Sequence, residues 1–294
     1  MLNQEHFKSE AGFSSLQEYI DHLKVGSRTF SWFSEQSIAN RILFRGTYNF
    51  RMSPFADEWL IGQRPDGTEF ATPLDLANIT SSAAVSHLRQ RLAIGPVVEE
   101  QATEIEQCFD LRLVRNFDRD DSDYIYETAA LRSLSGRHFA KARQYSRRLL
   151  RDGVSPKRFC ERDRESAMQL LARWHDQHPD NTGPLDFAES REAIELACQG
   201  LIEGVCLWQG KQMLAFLLCD VSIDDMIVAL ILKTDRTVQG LADLCYQSFL
   251  EAYPHKRYVN NCQDLGIPGL RKRKLAMRPI HVQDKLYVSL MEGE

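Results

Sequence analysis

The chain has 294 residues, 43% of them hydrophobic and 26% charged, which is ordinary for a globular protein with one large core or two of usual size. No apolar run approaches the roughly 18 residues of a membrane span, and the start, MLNQEHFKSE, lacks a signal peptide's basic residues and apolar stretch, so a cytoplasmic protein is expected. The net charge is −5, and the seven cysteines form no C-x-x-C pair, which reads as free thiols and excludes a zinc or disulfide frame.

In chain order, residues 1–40 read as a polar, amphipathic helix in which Phe13, Leu16, Tyr19, Ile20 and Leu23 recur at helical spacing. Strands are expected at 42–44, 58–61 and 68–72, the last two joined by the turn Arg64-Pro65-Asp66-Gly67. Ser81 or Ser82 can cap a helix running to Leu92, and 109–114 reads as a further strand. Residues 123–162 read as a basic link, with helices between Leu131 and Leu150 that place His138, Lys141 and Tyr145 roughly on one face. Two helices follow within 163–201. The loop between them holds an H-x-x-H, for which no third metal ligand is evident, and no metal is expected. Three strands then succeed one another at 205–208, 213–219 and 226–232, linked as a meander. A helix at 241–253, a strand at Tyr258-Val259 and a strand within 281–290 complete the pattern. The expected division is 1–122, a linking segment 123–162, and 163–294.

Two segments break the acidic background. Residues 136–164 carry ten Lys/Arg against three Asp/Glu, and 255–285 carry eight against two. Such segments suit an anionic partner, such as phosphate, nucleotide or tRNA; they also suit solvated helix faces, the reading preferred for Arg147 and Arg148.

The second segment contains NNCQDLGIPGLRKRK, from Asn260 to Lys274. Its order is a strand end, a polar loop and a short helix with Pro268 in its first turn, the type of junction where α/β folds place ligands. Asn260, Asp264, Leu265, Gly266, Ile267, Gly269, Leu270, Arg271, Lys274 and Pro279 stand where the soluble catalytic domain of phosphatidylglycerol lysyltransferases shows N-x-x-x-D-L-G-I-x-G-L-R-x-x-K and a following proline. Asp123-Tyr124-Ile125-Tyr126, Leu131, Leu134, Gly136, Arg137, Lys141 and Arg143 match a second block of that family. Ala142 and Gln144 interrupt its usual Lys-Arg-Asn run. Over roughly residues 40–290 the chain resembles this family and its stand-alone bacterial relatives. The resemblance implies an α/β (α+β) architecture of two tandem acetyltransferase-like (GNAT) domains, with mixed, mostly antiparallel sheets flanked by helices. The order of elements after residue 200 agrees with it.

The resemblance also implies transfer of an aminoacyl or acyl group to an amine or hydroxyl, with aminoacyl-tRNA as the preferred donor and no cofactor. The acceptor would be a small metabolite, or a lipid reached from the membrane surface. Such a reaction needs orientation of both partners, a base, and stabilisation of an oxyanion. Asp264 is the first candidate base and Glu189 the second, while a helix cap remains the equal alternative for Asp264. Asn260 could donate to the reacting carbonyl. Arg271 and Lys274 would hold donor phosphate or ribose, so alanine at either is expected to weaken donor binding and spare the fold. His138, Lys141, Arg143, Lys233, Gln239 and Gly240 complete the candidate donor contacts, and segments 136–148 and 260–274 are expected to share one cationic cleft.

Two rivals stand beside this reading. An acyl-CoA N-acyltransferase would need a pyrophosphate loop of the form [QR]-x-x-G-x-[GA], and Arg236 lies one residue too far from Gly240 for it. A non-catalytic module binding an anionic ligand would keep the fold without the chemistry.

Overall fold

The computed structural model describes residues 32–64, 66–176 and 186–291. Of the helix expected over residues 1–40, the first 31 residues lie outside them, as do Pro65 of the turn and His178 of the H-x-x-H. The strands are β1 (Arg51–Met52), β2 (Trp59–Gln63), β3 (Glu69–Pro73), β4 (Ala93–Val97), β5 (Leu113–Phe117), β6 (Asp123–Glu127), β7 (Val154–Arg158), β8 (Glu203–Gln209), β9 (Gln212–Asp220), β10 (Met226–Thr234), β11 (Tyr258–Asn260), β12 (His281–Gln283) and β13 (Leu286–Leu290). The α-helices among the described residues are α1 (Ile38–Leu43), α2 (Ser82–Arg89), α3 (Glu99–Phe109), α4 (Thr128–Ser133), α5 (Ala140–Arg151), α6 (Arg164–Asp176), α7 (Phe187–Cys198), α8 (Leu241–Glu251) and α9 (Pro268–Ala276). The chain divides into two compact units, 1–122 with 283–294, and 123–282.

The first unit holds a six-stranded sheet in the order β1-β2-β3-β4-β13-β5, antiparallel except where β3 runs parallel to β4. Its core gathers Trp59, Ile61, Leu88, Ile94, Ile105 and Val288. The β2–β3 turn works as its residues suggest: Gly67 takes a φ of 85°, and the Asp66 carboxylate accepts the Thr68 N–H at 2.9 Å.

The second unit holds a seven-stranded sheet in the order β12-β6-β11-β10-β9-β8-β7. The β8–β9–β10 meander forms at the expected place. β9 is covered on both faces. Ala215, Leu217 and Cys219 join one cluster with Leu241, Leu244 and Phe249 of α8, and by the two-residue period Phe216 and Leu218, equally buried, turn to the other face. That double burial is why the stretch is an almost unbroken apolar run. The architecture is thus α/β, with two mixed sheets flanked by helices.

Several expectations change. Residues 42 and 43 end helix α1, nucleated where the Ser37 hydroxyl accepts the Asn40 N–H at 2.9 Å; a three-residue apolar run cannot distinguish strand from buried helix. Phe109 ends helix α3, which stops at Asp110 in the left-handed conformation, and the strand begins only at Leu113. Segment 123–162 is no separate link: it supplies β6 and β7 to the second sheet, and Tyr124, Ile125 and Tyr126 are buried there. The single strand expected within 281–290 is two, β12 in the second sheet and β13 in the first.

Candidate active site in the second unit

β10 and β11 run parallel, but only Met226, Ile227 and Val228 pair, with Tyr258, Val259 and Asn260. Beyond that point β10 carries a register irregularity between Ala229 and Ile231, and the other chain leaves as the loop 261–267. A parting of parallel strands at their C-terminal ends is where such sheets hold ligands. Cys262, Leu265 and Gly266 adopt φ values of 51°, 53° and 70°. Two non-glycine residues in the left-handed region persist only where surroundings hold them.

Both family blocks supply that hold. Asp264 is fully buried. Its carboxylate accepts from Arg271 Nε at 2.8 Å and Nη2 at 2.7 Å, from the Gly266 N–H at 3.0 Å, and from the Tyr124 hydroxyl. Asn260, also buried, donates from its amide to Asp123 at 2.9 Å and accepts the Cys262 N–H at 2.7 Å. Lys274 points inward, donating to the Asn261 and Cys262 carbonyls beneath the Tyr124 ring, and its own carbonyl accepts the Tyr126 hydroxyl at 2.9 Å. Tyr246 of α8 donates to Asn261 at 2.9 Å. The Asp123–Tyr126 motif and the Asn260–Lys274 motif are therefore two halves of one network that fastens the loop to β6.

This network bears on the roles expected of Asp264, Asn260, Arg271 and Lys274. Burial raises the Asp264 carboxyl, but the bonds from Arg271, Tyr124 and Gly266 outweigh it and hold the group below the usual carboxylate range. Such a carboxylate is a weak base, and its bonds to Arg271, Tyr124 and Gly266 fit a positioning role. It does not cap α9 either, since that helix begins at Pro268 behind Ile267. Asn260 has both ends of its amide engaged in the loop. Lys274 is spent on backbone oxygens, so alanine there removes a buried clamp instead of an exposed phosphate contact. Asp123, Tyr124, Tyr126, Tyr246 and Asn261 are network members that sequence reasoning gave no role, and the D-Y-x-Y pattern was the signal for the first three.

The remaining candidates lie outside this network. Arg143 donates to the Leu134 carbonyl and, at 2.7 Å, to the Gly136 carbonyl, bracing a turn with left-handed Leu134 and Gly136. His138, Lys141 and Gln239 are exposed. Lys233 is buried, with Nζ 2.6 Å from Asp186 and 3.9 Å from the Trp174 ring centroid. Burial draws its ammonium down, against the opposing pull of Asp186 and then Glu189. Glu189 is half-buried in the first turn of α7.

The start of α8 joins the two basic segments. A β-carbon on Gly240 would collide with the Tyr145 Cβ of α5, and Arg273 of α9 pairs with Asp243 in the first turn of α8. Segments 136–148 and 260–274 thus reach the same helix end. Lys141 and Arg148 flank the Tyr145 ring at 5.5 Å and 5.3 Å, and an open cavity of about 370 Å³ runs along α5 beside Arg143, Arg147, Arg148 and Arg151. Because Gly240 also takes a φ of 91°, Gly240→Ala is expected to cost about 2–3 kcal/mol through left-handed strain plus overpacking. Urea unfolding measures it, and an unchanged midpoint would mean that Tyr145 yields freely.

A family model described as phosphatidylglycerol lysyltransferase, C-terminal, matches residues 31–288. Among solved structures, the chain is similar to a conserved protein of unknown function from Bacteroides thetaiotaomicron VPI-5482, at 19% identity and a TM-score of 0.79, covering 94% of this chain and 98% of that one. It is similar to L-PGS from Bacillus licheniformis at 12% identity and a TM-score of 0.66, covering 98% and 95%. It is also similar to FemX, at 10% identity and a TM-score of 0.60, covering 94% and 96%. At these identities the likenesses show a shared fold. No curated protein sequence matches. Among the described residues no helix is long and apolar enough to cross a membrane.

Proposed function

The chain belongs to the phosphatidylglycerol lysyltransferase C-terminal family, an aminoacyltransferase-type family, and from that premise we propose that it moves an aminoacyl group from an aminoacyl-tRNA to an amine or hydroxyl acceptor. The acceptor's lone pair attacks the ester carbonyl, a tetrahedral oxyanion forms, and its collapse expels the ribose hydroxyl of the tRNA. One proton must leave the nucleophile and one must reach the leaving oxygen. In this proposal Asp264, through Arg271 and Tyr124, holds the loop beside the parted strands, and Glu189, the second candidate base, takes the proton.

The observation that carries the choice of donor is the packing at Gly240. Tyr145 packs against Gly240 in the turn where an acyl-CoA transferase would seat its pyrophosphate. Beside it, α5 exposes Lys141, Arg147, Arg148 and Arg151 in a row suited to an extended phosphate backbone. With tRNA charged with labelled amino acids, and with candidate amines or hydroxylated lipids as acceptors, transfer is expected and should stop when ribonuclease destroys the donor. Transfer from acyl-CoA that ignores ribonuclease would replace this reading with an N-acyltransferase. Binding without transfer from either donor would leave a non-catalytic module.

A further inference from the structure

Beyond Val228, β10 no longer pairs with β11 and lines the gap where the strands part. Leu232 in this stretch packs against the α8 cluster, so Lys233, the next residue, turns to the other face. There it meets the end of α6 and the start of α7. Its Nζ lies 2.6 Å from the Asp186 carboxylate and 3.9 Å from the Trp174 ring centroid, and the residue is 3% exposed. The His175 and Phe187 rings, 4.7 Å apart, hold the two helix ends together. Glu189 follows Asp186 by three residues, which brings it to the same side of α7, and its charge reaches Lys233 as well. An aromatic ring and a carboxylate that converge on one point are the groups that recognise an ammonium ion. Burial works against the charge of Lys233, and an aliphatic side chain would pack on a strand without that cost. The chain thus fills an ammonium box with a cation of its own.

We propose that Lys233 sets the aminoacyl specificity of this site. With its ammonium already in the Trp174–Asp186 box, the site takes donors whose aminoacyl side chain is uncharged and refuses those that bring a cationic one, lysyl and arginyl. The inference rests on the aminoacyl-transfer reading with Glu189 as its base, and deepens it by naming the class of donor. A cationic side chain entering beside Glu189 would either stand next to Lys233, where like charges repel in a partly desolvated place, or displace it and leave a buried ammonium without its carboxylate. A neutral side chain meets neither penalty. The discrimination therefore comes from a repulsive element and not from a better contact with the favoured donor.

The test gives the full chain one tRNA, acylated in turn with labelled alanine, norleucine and lysine, with the same acceptor present, and compares kcat/KM. Norleucine matches the lysine stem without its charge. Wild type should favour the norleucyl over the lysyl donor at least about tenfold. Lys233→Met, which keeps the stem and removes the charge, should bring the two donors close to parity. Lys233→Arg, which keeps the charge, should retain the preference. Thermal melts confirm that the variants fold. A second measurement reads the box without any transfer. Lys233→Ala leaves Trp174 and Asp186 facing a hole, and propylammonium chloride replaces the atoms removed beyond Cβ. It should raise the melting temperature of this variant by a few degrees, while sodium chloride at equal concentration should not, nor should propylammonium act on wild type. Wild type that transfers lysyl as readily as norleucyl overturns the proposal, and so does a Lys233→Met preference equal to that of wild type, since Lys233 would then only fasten α7 to β10. Alanyl transfer with norleucyl refused like lysyl also overturns it, because the exclusion would be one of length. A Lys233→Ala melt indifferent to propylammonium removes the box itself. If wild type takes no donor at all, the functional reading falls and the specificity with it, while the propylammonium melt still reports whether the box holds an ammonium.

Discussion

Arg271→Ala is expected to lower stability by about 2–3 kcal/mol, because it leaves a buried carboxylate without its cation. Arg271 is 33% exposed, which keeps the figure below that for a wholly buried pair. Asp264 would retain the Tyr124 hydroxyl and the Gly266 N–H. The loop with its left-handed Cys262 and Leu265 should loosen together with the pair. A pH dependence follows. The Asp264 carboxyl titrates lower in the folded protein than in the unfolded chain, where it sits near about 4. Its stabilisation is therefore complete above about pH 4 and is lost as pH falls through the folded value. Without Arg271 the folded value rises, so the acid limb of the stability curve moves to higher pH. Urea unfolding between about pH 3 and 7 reads both effects. A cycle with Asp264→Asn should show strong coupling, because the two residues share one interaction. If Arg271→Ala unfolds like wild type yet no longer binds donor, Arg271 is a donor contact and the positioning role of the pair is wrong.

Removing Arg147, Arg148 and Arg151 together should lower tRNA affinity at least about tenfold and flatten its dependence on salt. Each phosphate contact adds close to one unit to the slope of log K against log salt, so three should remove about 3. The three side chains lie on the exposed side of α5, next to the open cavity. Their replacement by alanine should leave the melting temperature within a few degrees of wild type. Filter binding across a salt series supplies the slope. An unchanged slope would mean that tRNA, if bound, lies elsewhere, and that the solvated-helix reading of these arginines is correct.

Much of the architecture was legible because local pattern and tertiary role agree there. The β8–β10 meander is an apolar stretch interrupted by two turns, and α8 shows its inward stripe in Leu241, Leu244 and Phe249. β6 was hidden for the opposite reason. Five residues, Asp-Tyr-Ile-Tyr-Glu, become a strand only because β11 and β12 lie on either side of them. The candidate site was legible as a location, while the hydrogen bonds its residues make were not. Asp, Asn and Lys in a polar loop after a strand are the residues a catalytic centre needs, and equally those that a loop with two left-handed non-glycine residues needs to stay folded. Their partners in β6 lie 137 to 148 positions away, beyond the reach of any spacing argument.

By itself the sequence determined the family, through two motif blocks, and the class of fold, through periodicities that local sterics and burial impose. It also determined where the cations lie along the chain. Which of those cations face solvent was decided only in the folded chain. Lys274 and Arg143 are drawn to backbone carbonyls and Arg271 to a buried carboxylate, while Arg147 and Arg148 remain exposed. A side chain's charge is a local property, but its direction depends on which acceptors the rest of the chain brings near and leaves short of donors.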